Sequence, residues 1–156
     1  MSKTDPSRTN TPFRRALVET PFAAHWTATQ IDHYIDFTAA LDPEGKLNAT
    51  FGKGGVSYFG GSEKGRVFLC HFNAAPRASE PDLGFADFRY ASIENHVDVD
   101  GVIARLSEAA EGHATASAKK TWFSLHFALS DTAKIAGFFR AHLVNPVLAS
   151  FNKAAP

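Results

Sequence analysis

The sequence predicts an α+β domain in which a single antiparallel sheet of about four or five strands carries helices mainly on one face. Three observations support this fold class. Apolar residues near the N-terminus recur at helical spacing, the middle of the chain changes to a period of two between glycine-rich turns, and the C-terminal part runs helix, strand, helix. Because this order is typical of an antiparallel sheet with segregated helices, we expect one such domain over residues 12–156.

The N-terminal part of the chain is predicted to be helical after a short tail. Residues 1–11 are polar and show no hydrophobic period, which predicts a disordered tail. A short helix over residues 12–19 begins at a proline, which suits the first turn of a helix. Thr27 and Gln30 have the spacing of a capping box, so a second helix begins there and runs to about Leu41.

The central part of the chain is predicted to form antiparallel strands. Residues 47–51, 56–59 and 66–73 are rich in β-branched and aromatic residues, and glycines separate them. A proline-containing loop at 73–84 leads to another strand at 85–93. The glycines match neither the Walker pattern nor the Rossmann pattern, so hairpin turns explain them without a phosphate site.

The C-terminal part is predicted to run helix, strand, helix. A helix with Asp98 as its N-cap ends where the polar linker 112–120 begins. The strand at 119–129 follows, and Ser130 is placed to cap a last helix. Pro146 interrupts that helix, after which the chain resumes a further helical turn or two.

The strand KKTWFSLHFAL alternates so regularly that its two faces can be assigned. Successive side chains of a strand point to opposite faces. One face therefore carries only core residues, namely Phe123, Leu125, Phe127 and Leu129. The other face carries an aromatic ring, a hydroxyl and a titratable group, namely Trp122, Ser124 and His126.

The same alternation extends this mixed face to two other strands. It places Phe68, Cys70 and Phe72 on one face of the strand 66–73, with Val67, Leu69, His71 and Asn73 on the other. It also places Asp87 and Arg89 opposite Phe88. If each phenylalanine-bearing face turns inward, the mixed face collects the candidate ligand-binding residues, which are Trp122, Ser124, His126, His71, Asp87 and Arg89.

Each candidate also has a plain structural interpretation. His71 and His126 suit metal binding or acid–base chemistry, but they lack a short metal-binding spacing, and one hydrogen bond each on a half-exposed sheet explains them. Asp87 and Arg89 either bind a ligand or form a solvated surface pair. Trp122 either stacks on a ligand or packs at a subunit interface.

Composition excludes several functional classes. Sixteen basic residues balance sixteen acidic ones, so no positive field favours nucleic acid, and no apolar run is long enough to span a membrane. The single cysteine, Cys70, excludes an internal disulfide and fits a reducing compartment, which predicts a cytoplasmic protein. Flanking phenylalanines identify Cys70 as a buried hydrophobe rather than a nucleophile. We expect no metal and no cofactor.

Three functions remain open at this level. The first is a small binding module that holds a partly aromatic or anionic small molecule on the mixed face, closed by the loop at 73–84. The second is an interaction protein that buries this face in a homodimer. The third is a small enzyme in which His126 or His71 is a general base oriented by Asp87, although no nucleophile motif such as GxSxG accompanies them.

Overall fold

The predicted α+β class is confirmed by a sheet of six antiparallel strands. The computed structural model describes residues 11–61 and 65–154. The strands are β1 (Asn48–Gly52), β2 (Gly55–Gly60), β3 (Val67–Ala74), β4 (Leu83–Arg89), β5 (Ala114–Ala118) and β6 (Trp122–Ala128). Their order across the sheet is β1-β2-β3-β4-β6-β5, so β1 and β5 are the edges.

The helices pack mainly against one face of this sheet. They are α1 (Thr11–Glu19), α2 (Ala28–Leu41), α3 (Tyr90–Ile93), α4 (Val99–Ala109), α5 (Thr132–Phe139) and α6 (Asn145–Ala154), with a 3₁₀ turn at Pro21–His25. Residues 1–10 of the predicted tail lie outside the described residues, and Thr11 already belongs to α1. Within the described ranges, no helix has the length and apolar character that a membrane span requires.

The capping box that begins α2 is formed as predicted. The Thr27 hydroxyl accepts a hydrogen bond from the Gln30 backbone N–H at 3.1 Å, and the Gln30 side chain accepts one from the Thr27 N–H at 2.7 Å. At the other end of α2, the buried Asp42 carboxylate accepts hydrogen bonds from the backbone of Lys46 and Leu47. These bonds fix the turn that leads from the helix into the sheet.

The sixth strand is β5, which the sequence pattern assigned to a polar linker. Its sequence, ATASA, has neither bulky β-branched residues nor a strong apolar alternation. The segment is a strand because it pairs with β6, with Ser117 opposite Ser124. The strand predicted at 85–93 is also shorter, because the chain turns into α3 after Arg89.

The C-terminal helices differ from the prediction at two points. Ser130 does not cap α5, because it lies within a 3₁₀ turn at Leu129–Asp131 and the helix begins at Thr132. Pro146 does not break the helix, because a π-helical turn at Arg140–Val144 precedes it and places it as the second residue of α6. Residues 132–154 form one continuous helical segment, in which the π-helical turn lies directly before Asn145 and Pro146.

The core between sheet and helices is built largely from aromatic rings. Phe72 of β3 stacks on Phe37 of α2, with ring centroids 4.2 Å apart and planes 8° apart. Phe139 of α5 contacts both Phe37 and Phe88 of β4. Phe123, Leu125, Phe127 and Leu129 are all buried, which confirms the predicted core side of the strand 119–129.

One β-bulge overturns part of the predicted face assignment. Tyr58 pairs with Cys70 but Phe59 pairs with Phe68, so Leu69 is an extra residue in β3. Leu69 and Cys70 are therefore both fully buried, and Phe68 shares a face with Phe59. The predictions that Phe68 faces the core and Leu69 the mixed face were wrong, because simple alternation fails across a bulge.

Candidate functional site

The cross-strand register places all six candidate residues on the sheet face opposite the helices, which we call the open face. His71 of β3 lies opposite Asp87 of β4, and Asp87 lies opposite Ser124 of β6. Two residues along the strands, Arg89 lies opposite Trp122. His126 belongs to the same face two residues beyond Ser124, opposite Phe85.

A cavity of about 530 Å³ lies on this face near the ends of β3, β4 and β6, and we call it the open-face pocket. Its polar lining consists of Ser57, His71, Asp87, Arg89 and Ser92. Its aromatic lining consists of Phe59, Phe68 and Trp122. The structure therefore brings four of the six candidates together around one cavity.

The other two candidates do not line the pocket. His126 lies flat against the ring of Phe85, its cross-strand partner, with ring centroids 4.2 Å apart and planes 10° apart. The guanidinium of Arg77 lies 5.5 Å from the centroid of the same Phe85 ring. Ser124 sits beside the pocket as the neighbour of Asp87. Stacking gives His126 a structural role that the sequence could not distinguish from ligand binding.

Four lining residues were absent from the predicted site. Phe68 was assigned to the core because alternation does not reveal a bulge, and Ser92 was assigned to a strand although it belongs to α3. Ser57 and Phe59 lie on β2, whose pairing with β3 places them beside the pocket. Ser57 lies directly opposite His71, so the β2–β3 register identifies it as a neighbour of the site, but the sequence pattern does not contain that register.

His71 is held as a neutral imidazole by two hydrogen bonds. Its Nε2 lies 2.8 Å from the carbonyl oxygen of Gly54, which can only accept, so Nε2 carries the proton. Its Nδ1, 3.1 Å from Ser57 Oγ, then accepts from that hydroxyl. Burial, with a contribution from the positive charge of Arg89, lowers the pKa of His71 from 6.5 to about 4. The side chain is therefore neutral at physiological pH.

Asp87 and Arg89 carry opposite charges but do not form an ion pair with each other. In the part of the chain that the structure describes, neither side chain has a hydrogen-bond or ion-pair partner within the usual distances. Burial raises the pKa of Asp87 from 3.8 to about 6, although the positive charge of Arg89 opposes the rise. At neutral pH the pocket thus presents one carboxylate and one guanidinium, neither of which has a contact partner among the described residues.

The structure also bears on the other chemistry considered from the sequence. Across residues 11–61 and 65–154, no three His, Cys, Asp or Glu side chains are grouped closely enough to hold a metal ion. Burial raises the pKa of the Cys70 thiol well above its usual range, which keeps it protonated. A protonated buried thiol is a poor nucleophile, so Cys70 acts as a core residue.

A larger cleft of about 810 Å³ lies at the other end of the sheet, between the N-terminus of α2 and the loop before β4. The loop expected to close the site lies here, and none of residues 75–82 lines the open-face pocket. Two polar side chains of this cleft bond to other parts of the protein. Gln30 donates to the carbonyls of Ala74 and Ala75, and Arg77 pairs with Glu80 at 3.0 Å.

The open-face pocket is the better candidate for ligand binding because it gathers four of the six candidate residues. It combines an aromatic surface with two opposite charges that have no contact partner among the described residues. Its volume, like that of the larger cleft, lies within the usual range of about 300–1,000 Å³ for ligand sites. No protein-family model, curated protein or solved structure shows significant similarity to this chain.

Proposed function

We propose that this protein is a binding module for a small organic molecule with an anionic group and an aromatic part. The observation that carries the proposal is the exposed guanidinium of Arg89, which has no hydrogen-bond or ion-pair partner among the described residues and lines one pocket with three aromatic rings. A guanidinium binds carboxylate or phosphate oxygens through paired hydrogen bonds, and Trp122, Phe59 and Phe68 offer ring surfaces to the rest of the ligand.

Binding fits the pocket better than catalysis does. Ser57 and His71 have the hydrogen-bonded arrangement of a nucleophile and its base. A general base works best when its pKa is near the working pH, whereas the pKa of His71 is lowered to about 4. His71 is thus a weak base, and its bonds to Ser57 and Gly54 serve to shape the pocket wall.

The test is a thermal-shift and fluorescence screen of the full chain against small aromatic carboxylates and phosphates. We expect a ligand that raises the melting temperature and changes the emission of Trp122, which is 42% exposed. Arg89→Gln should weaken the binding of that ligand by about tenfold or more, since the substitution removes a charged hydrogen-bond donor. The matched control is Arg105→Gln on α4, an exposed arginine that does not line the pocket.

Two results would contradict the binding proposal. One is that no compound of this chemistry raises the melting temperature at millimolar concentration. The other is that Arg89→Gln and Arg105→Gln affect binding equally, because the guanidinium in the pocket would then have no special role.

A homodimer through the open face is the second candidate, and the exposure of Trp122 is what favours it. Tryptophan is enriched in protein interfaces. If this face is an interface, light scattering will give the mass of a dimer for the wild type and of a monomer for Trp122→Ala. A wild-type mass equal to that of the single chain, 16.9 kDa, would rule this candidate out. We also propose a cytoplasmic location, because the free thiol of Cys70 fits a reducing compartment.

A further inference from the structure

We infer that the ligand of the open-face pocket is a zwitterion, namely a free amino acid with an aromatic side chain, whose carboxylate meets Arg89 and whose ammonium group meets Asp87. This inference rests on the proposed binding function and deepens it. It starts from the two charges that line the pocket, which are of opposite sign and do not neutralise each other at contact distance.

The positions of these two charges suit a ligand that carries both charges close together. Asp87 and Arg89 are two residues apart on β4, so their Cα atoms are about 7 Å apart and their side chains leave the same face. The groups opposite Asp87 on the neighbouring strands are His71, which is neutral, and Ser124. Arg89 is thus the one charged side chain besides Asp87 in the described lining.

A partly buried carboxylate without a cation at contact distance is costly, and an ammonium group would relieve that cost. Charged groups lose hydration on burial, and a close opposite charge with hydrogen bonds compensates for the loss. The pKa of Asp87 is raised to about 6 for the same reason, because burial penalises the charged carboxylate more than the charge of Arg89 stabilises it. A ligand with only an anionic group would satisfy Arg89 but place a second negative charge near Asp87. A zwitterion satisfies both residues.

The aromatic part of the ligand follows from the remaining walls of the pocket. The rings of Phe59 and Phe68 contact each other edge-on, with centroids 5.6 Å apart. Trp122, opposite Arg89 on β6, adds a third ring that is 42% exposed. Aromatic rings favour tilted and offset contacts of this kind, and a pocket of about 530 Å³ has room for a single benzyl or indolyl side chain.

The experiment is isothermal titration calorimetry of the full chain at pH 8 with three probes. L-phenylalanine carries both charges, 3-phenylpropanoate lacks the amine, and phenethylamine lacks the carboxylate. We expect L-phenylalanine to bind at least tenfold more tightly than either analogue, because each analogue leaves one pocket charge unpaired. At pH 5, where Asp87 is protonated, its advantage over 3-phenylpropanoate should shrink.

Two variants assign the charges to their partners. Asp87→Asn should remove the preference for L-phenylalanine over 3-phenylpropanoate, while Arg89→Gln should remove the preference over phenethylamine. Asp100→Asn, at an exposed position on α4, is the matched control and should preserve both preferences. Asp87→Asn removes no hydrogen bond within the described structure, so this variant is expected to fold.

The possible outcomes separate this inference from the binding function. If 3-phenylpropanoate binds as tightly as L-phenylalanine and depends on Arg89, the pocket binds anions and the zwitterion inference is wrong. If L-phenylalanine keeps its preference in Asp87→Asn, Asp87 does not bind the amine and the inference is again wrong. If none of the three probes binds while another aromatic anion does, only the inference fails.

Discussion

Replacing Asp87 by asparagine is expected to stabilise the protein at pH 8 and to lose that advantage near pH 4. Burial raises the pKa of Asp87 from 3.8 to about 6, so the folded state holds the carboxyl proton more tightly than the unfolded state does. Stability from this group therefore rises as the pH falls from 6 to 4, and above pH 6 the ionised side chain is a net cost.

The size of the effect follows from the two pKa values. A rise from 3.8 to about 6 corresponds to roughly 3 kcal/mol if the group were fully shielded from solvent. Asp87 is half-buried and retains some contact with water, so about 1–2 kcal/mol remains. For a chain of this length, each kcal/mol changes the melting temperature by about 2–4 °C.

Urea unfolding followed by circular dichroism at pH 8, 6 and 4 provides the measurement, with Asp100→Asn as the control. The free energy of unfolding of Asp87→Asn should exceed that of the wild type by about 1–2 kcal/mol at pH 8 and match it at pH 4. An Asp87→Asn variant that is no more stable than the wild type at pH 8 would refute the claim that the carboxylate is unpartnered. An advantage that did not change with pH would refute the assigned pKa.

Three further predictions concern the pocket wall, the core and one turn. The free energy of unfolding of His71→Gln should rise by about 1–2 kcal/mol relative to that of the wild type as the pH falls from 6.5 to 4, because the lowered pKa of His71 costs the wild type stability in that range. Equal pH profiles of the unfolding free energy for the two proteins would contradict this prediction. Phe72→Ala should cost about 3–5 kcal/mol in urea unfolding, since the ring is fully buried and stacked on Phe37, and a loss below 1 kcal/mol would contradict this packing. Gly55→Ala should lower the melting temperature, because Gly55 has φ +120° and an added Cβ would lie 2.2 Å from the Phe72 carbonyl oxygen. Its control is Gly137→Ala in α5, where no atom lies within 4 Å of the added Cβ and a small rise is expected, so similar effects of both changes would refute the argument.

The sequence predicted the open face best where the strand pattern is strict. In β6, alternation alone separated Trp122, Ser124 and His126 from the buried phenylalanines. The same rule worked for Asp87 and Arg89 in β4, because both residues precede the helical turn at Tyr90. Period two is a local property of a regular strand, so a single sequence is enough to show it.

The parts that the sequence could not show depend on contacts between strands. The bulge at Leu69 arises from pairing with β2, and it moved Phe68 into the pocket. The strand β5 exists because β6 offers it an edge, although its own residues favour no strand. The stacking of His126 on Phe85 required the β4–β6 register, which no local pattern contains.

If the proposed function is correct, the ligand binds in the open-face pocket rather than elsewhere on the protein. The most direct measurement is a titration of the ¹⁵N-labelled chain with L-phenylalanine, followed by amide chemical shifts. We predict that the largest changes belong to residues around Ser57, His71, Asp87–Arg89 and Ser92, with α1, α2, α4, α5 and α6 unaffected. Changes centred on Trp26 and Arg77 in the other cleft would contradict binding in the open-face pocket. An absence of changes at millimolar L-phenylalanine would contradict the zwitterion inference alone.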